Sequence, residues 1–370
     1  MTAGPIRLQG GKRLILLANV RTASNSIIAA FQEALGGEAV FHLRAGFSDG
    51  PGSYGDFLRA ARRDAHAVYA GHFVFGVHRR LGSPAEYVTA VREPVDRVLS
   101  QIAGIRAASG ADLDVPAWLD RYPEANNGMV KRLCGYGLMP GAGHVYDGLH
   151  DHLLDGDVDV GESHLEQAIA HIDQYFRYVV LFGRQAENLL LLERAYGTEP
   201  LFSLHRHFVN TSPRTGREDV PPSLIREIED RNRLDSRLYE TCRARFEALI
   251  AAQEPAFSDA VDTMRLVSVV LGGGDRGVLT DEGLMGGLYA LANGLFARGE
   301  GDRAVAVLQR FSAKAVIGER FCRGVLRLIG EHGADGAFER EVAVYRARFG
   351  EDSFLSEVCA HWNRRRQGPS

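Results

Sequence analysis

The chain has 370 residues, 45% of them apolar and 24% charged, with a formal net charge of −4. That length holds two domains with a sizeable core, and the mildly acidic balance excludes a broad basic surface for nucleic acid, so any anion site must be local. The four cysteines, Cys134, Cys242, Cys322 and Cys359, are widely scattered, which fits a reduced compartment without a disulfide framework.

Arg13 to Asn19 reads as the first apolar strand. It is far shorter than the roughly 20 residues of a membrane helix. No secretory signal is read before it, so a cytoplasmic location without a membrane span is expected. Gly10-Gly11-Lys12 precedes the strand instead of following it. Neither G-x-x-x-x-G-K-[ST] nor G-x-G-x-x-G comes after the strand, which argues against an ordinary ATPase, GTPase or kinase and against a dinucleotide fold. The strand runs instead into Arg21-Thr22-Ala23-Ser24-Asn25-Ser26, a small, hydroxyl-rich turn with one cation, leading into a helix. The first turn of a helix has unpartnered N–H groups and a dipole that favours anions. Small residues let the backbone approach such a ligand, and the hydroxyls can donate to it.

Ala39 to Leu43 and Ala65 to Ala70 read as the next strands. His72 follows the second of these and is placed at a strand end, facing the cleft. His66 reads as structural within that strand. His78, followed by Arg79-Arg80, reads as a surface or acceptor-side residue. Glu86 to Val91 is a fourth strand, running into Arg92-Glu93-Pro94-Val95-Asp96-Arg97-Val98-Leu99-Ser100. Pro94 suits the first position of a helix, Arg92 can grip a phosphate in a fork, and Ser100 adds a hydroxyl further along. The two helix-opening segments together imply a ligand with two separated anionic ends.

Tyr178 to Phe182 is a fifth strand, and helical patterns fall between the strands. The class is therefore α/β with a mainly parallel sheet flanked by helices. The loops Phe47 to Gly55 and Gly135 to Gly148 either border an acceptor site or are plain surface. Arg44 is a candidate contact for an anionic acceptor. His205 and His207 read as structural or as part of a substrate rim. No histidine–cysteine spacing matches a zinc site, so no metal is expected.

Gln253 to Asp259 reads as a boundary between a domain at 1–255 and an all-helical domain at 256–370. In the latter, Leu288, Leu291, Leu295, Gly299, Ala304 and Leu308 precede Cys322, Val325, Ile329, Gly333, Phe338 and Val342 by a 34-residue period. That spacing is similar to tetratricopeptide helix pairs. The other reading is a helical appendage packed on the first domain. A repeat would offer a surface to a protein partner, a polymeric substrate or a second copy of the chain.

Arg21 to Ser26 resembles the 5′-phosphosulfate loop of sulfotransferases, K-T-A-S-T-S or K-T-G-G-T-S. Arg92 to Ser100 resembles their 3′-phosphate motif, R-[DE]-P-x-x-R-x-x-S. Gly71-His72-Phe73-Val74-Phe75 is similar to a segment of the branch that includes heparan sulfate 2-O-sulfotransferase. Asn126 to Gly135 resembles that branch's N-x-x-x-R-x-L-x-G helix, and Pro222 to Ile250 its closing helix.

The resemblance implies a P-loop-like sulfotransferase fold over roughly residues 12 to 252. It implies 3′-phosphoadenosine 5′-phosphosulfate as the donor, leaving as 3′-phosphoadenosine 5′-phosphate. The sulfuryl end would lie over Arg21, Thr22, Ala23, Ser24, Asn25 and Ser26, the 3′-phosphate between Arg92 and Ser100, and Thr211 and Arg214 would close over the nucleotide. His72 would be the general base and Arg21 the cation facing the departing oxygen. The acceptor would be a carbohydrate hydroxyl. A small natural product or lipid acceptor, or a nucleotide-binding scaffold without activity, are the alternatives. Arginine at position 21, where the family usually has lysine, is the main departure and bears on turnover. Many animal members carry a membrane anchor, which is not read here.

Overall fold

The computed structural model describes residues 11–22, 24–43, 54–109, 113–135, 159–196, 216–272, 281–312, 318–332 and 335–366. The chain divides into two compact units at Ala252/Gln253. Ala23, Arg44, His205, His207, Thr211, Arg214 and the loops at 47–53 and 136–148 lie outside the described residues.

The first unit is built on five strands: β1 (Arg13–Leu17), β2 (Val40–His42), β3 (Val68–Gly71), β4 (Ala85–Val91) and β5 (Phe176–Leu181). They form one sheet in the order β2-β3-β1-β4-β5, and every pairing is parallel. Leu14, Ile15, Leu16 and Leu17 are all buried, as expected of a central parallel strand covered on both faces. Leu17 pairs with Gly71 on one side and Thr89 on the other, so β1 and β3 end level and β4 runs two residues further, to Val91. A Cβ on Gly71 would stand 2.6 Å from the Cβ of Leu43. Only glycine lets the chain following β2 pass this close, and His72 comes next.

Helices α1 (Ser24–Leu35), α2 (Tyr54–Arg62), α3 (Pro94–Ser109), α4 (Val115–Arg121), α5 (Gly128–Leu133), α6 (Glu162–Tyr175) and α7 (Gln185–Tyr196) lie between or beyond the strands. On α3, Val95, Val98, Leu99 and Ile102 form an apolar stripe at helical spacing. It packs on Val115 and Leu119 of α4 and on Ile228. Two readings of the sequence are corrected here. The helix expected from Pro222 to Ile250 is two helices, α8 (Pro222–Arg231) and α9 (Arg233–Ala251), broken at Asn232. His66 lies before β3, where its Nδ1 donates to the carbonyl of Glu38 at 2.8 Å.

The second unit is all helical over its described residues: α10 (Pro255–Gly272), α11 (Asp281–Ala297), α12 (Gly301–Ser312), α13 (Glu319–His332), α14 (Asp335–Phe349) and α15 (Ser353–Arg366). α12 and α14 start 34 residues apart, and so do α13 and α15. Leu288 and Cys322, one period apart, are both fully buried, as are Leu295 and Ile329. Among the described residues no helix is long and apolar enough to cross a membrane.

Glu341 on α14 is only 1% exposed. It bonds with the side chain of Ser312, yet burial outweighs that bond and the attraction of Arg348, and pushes its carboxyl up to about 7 from 4.5. An acid raised on folding favours the folded state when protonated. This group's contribution therefore falls as pH rises from about 4.5 through about 7, by about 3 kcal/mol in all. Glu341→Gln is expected to raise the melting temperature at pH 8 and to change it little at pH 5. Equal shifts at both pH values in thermal melts would contradict this.

Candidate active site

From β1 the chain goes on to β2 on one side of the sheet; from β4 it goes on to β5 on the other. A crevice opens at the carboxyl ends of such a divergent pair, and ligands of open α/β sheets bind there. Asn19, just past β1, bridges it. Its Nδ2 donates to Thr89 Oγ1 at 3.1 Å and to the Ala90 carbonyl at 2.9 Å. The Asn19 carbonyl in turn accepts from Thr22 Oγ1 at 2.8 Å and Ser24 Oγ at 3.3 Å. These two hydroxyls, 3.0 Å apart, thus shape the loop that leads into α1. Ser26 is buried and Asn25 exposed.

Arg92 closes the crevice from the β4 side. Its Nη1 donates to the carbonyl of Arg21 at 3.1 Å, and its guanidinium lies 4.3 Å from the ring centre of Phe182. Ser100 is half-buried on α3. Arg21 itself has φ of +61°, a left-handed conformation that costs free energy outside glycine. Its guanidinium lies against α3. It fills the notch left by Gly104 on α3, where a Cβ would stand 1.4 Å from Nη2.

His72 is half-buried beside this loop. Its Nδ1 is 3.0 Å from the carbonyl oxygen of Ala18. A carbonyl can only accept, so Nδ1 carries the proton and, in the neutral ring, Nε2 carries the lone pair. That is the tautomer a general base requires.

Behind His72 stands a buried ionic network whose members come from well-separated parts of the sequence. Arg132 and Glu124, each 2% exposed, pair through two hydrogen bonds of 2.5 and 2.6 Å. Arg132 Nη1 donates to the carbonyl of His72 at 2.8 Å, and the Arg132 carbonyl accepts from Phe75 N at 2.8 Å. The chain on both sides of Val74 is therefore clamped. Arg97, 1% exposed, donates to the Glu124 carbonyl at 3.2 Å and to Asn232 Oδ1 at 3.2 Å, and it pairs with Asp235 at 3.4 Å. Asp235 accepts from the N–H groups of Met129 and Val130, which open α5. Asn127 accepts from Leu234 and Asp235, which open α9. Each helix thus has its first turn capped by a side chain from the other.

His78 is not the surface residue expected. The Tyr87 hydroxyl accepts from the N–H groups of Gly76 and His78 and lies 2.8 Å from His78 Nδ1. Its single proton therefore goes to His78, whose ring stacks on Tyr175. Burial, with Arg79 and His171 nearby, pushes the His78 imidazole below its usual range. This histidine is a neutral part of the packing.

No known protein family matches the chain, and no curated protein is similar enough to match it.

Proposed function

We propose that this chain transfers a sulfuryl group from 3′-phosphoadenosine 5′-phosphosulfate to a hydroxyl, with a carbohydrate as the acceptor class. The observation that carries the reading is the meeting, at the carboxyl ends of adjacent strands, of the loop after β1, Arg92 after β4 and His72 after β3. A P-loop-like fold belongs to the same proposal. His72 Nε2 takes the proton of the acceptor hydroxyl while its oxygen attacks sulfur in line. The bond from sulfur to the bridging phosphate oxygen breaks, and 3′-phosphoadenosine 5′-phosphate leaves. The N–H groups at the start of α1 face the charge on the transferring end. Arg132 acts only through the backbone, holding the carbonyl of His72.

A nucleotide-binding protein without transfer is the second reading. It is favoured by the Arg21 guanidinium, which lies against α3. For the first step, titration calorimetry with adenosine 3′,5′-bisphosphate is expected to show binding and titration with ATP none. Arg92→Ala should weaken the bisphosphate at least about tenfold, the loss of a charge-assisted fork. Preference for ATP, or indifference to Arg92, would count against the reading.

A further inference from the structure

The cation of the first loop is in an unexpected place, and Gly104 shows where. Ser100 and Gly104 are four residues apart on α3, so they share a face one turn apart. The Arg21 guanidinium occupies the space of a side chain at Gly104: a Cβ there would stand 1.4 Å from Nη2 and 2.3 Å from Cζ. It therefore lies about one helical turn from Ser100. The left-handed φ at Arg21 belongs to the same turn of chain, and the Arg21 carbonyl is held by Arg92 at 3.1 Å. The Arg21 side chain thus lies along the face of α3 that carries Ser100, while Arg92 holds the Arg21 backbone. Among the described residues no carboxylate pairs with Arg21. Two arginines tied to one turn of chain, with the Arg21 charge left without a carboxylate, can serve an anion of more than one charge.

We infer that Arg21 binds the anion at the end of β4, shared with Arg92 and Ser100, and not the group over α1. The inference rests on the function proposed above, in which that anion is the 3′-phosphate of the nucleotide. A terminal phosphate carries close to two charges at neutral pH and presents three acceptor oxygens, the form of ligand that planar guanidinium forks match. Arginine in place of lysine at position 21 then has a physical reason. The longer, forked side chain reaches α3, and a glycine on α3 leaves room for it. The transferring end is left to the N–H groups at the start of α1.

The test compares two nucleotides that differ only at the 3′ position: adenosine 3′,5′-bisphosphate and adenosine 5′-phosphate, titrated into the full chain. Arg21→Ala is expected to weaken the bisphosphate at least about tenfold and the 5′-phosphate less than about threefold. Gly104→Ala removes no ligand-binding group and only displaces a flexible side-chain end, so it should reproduce the selective loss. Thermal melts of both variants should stay close to the wild type. Equal weakening of the two nucleotides by Arg21→Ala, or an unchanged bisphosphate affinity in both variants, overturns the assignment while leaving the proposed function standing. A wild-type chain that binds neither nucleotide overturns both.

Discussion

Replacing Glu124 with alanine is expected to destabilise the α/β unit by about 3–5 kcal/mol, the cost of leaving a buried guanidinium without its partner. Arg132 is 2% exposed, and its two short charge-assisted bonds both go to Glu124. With the carboxylate gone, Arg132 must either stay buried without that counter-charge or move out. Moving out would release the carbonyl of His72. Glu124→Gln keeps the shape and two polar atoms, so it should recover part of the loss. Urea unfolding of the full chain, followed at the first transition to separate the two units, gives the number. A loss under about 1 kcal/mol for Glu124→Ala would mean that water reaches Arg132 and that the clamp behind His72 is not a buried pair.

His72→Ala is expected to lower kcat for the proposed transfer by about 10²–10⁴, the usual contribution of a positioned general base. The affinity for adenosine 3′,5′-bisphosphate should change less than about threefold, because the imidazole is anchored on the Ala18 carbonyl, at the end of β1 away from the proposed 3′-phosphate site. The split matters more than the size of the effect. Turnover lost with binding retained identifies a group that acts on the acceptor proton. Loss of both together would mean that His72 only holds the loop at Ala18, and the base would have to be sought elsewhere.

The strands were legible because each is a short apolar run covered on both faces of a parallel sheet, as at Leu14 to Leu17. The strand-end positions of His72 and Arg92 were legible too, since each comes directly after a strand. The network behind the site was not legible. Arg97 falls within the Arg92 to Ser100 motif and Asn232 and Asp235 within the Pro222 to Ile250 segment, but nothing in the sequence pairs residues more than 100 positions apart. The break at Asn232 has the same origin: its side chain is committed to Arg97 and to the Ala125 carbonyl. The direction of Arg21 depends on a glycine in a distant helix, and no local pattern announces that. His78 misled because two exposed arginines follow it, while its own ring turns under Tyr87.

The central claim is tested most directly by transfer of labelled sulfate from 3′-phosphoadenosine 5′-phosphosulfate to a panel of glycans and small hydroxyl compounds, with Arg92→Ala run alongside. The account predicts label in at least one carbohydrate acceptor, abolished by that substitution. No transfer to any acceptor, from a chain that also fails to bind adenosine 3′,5′-bisphosphate, would contradict it.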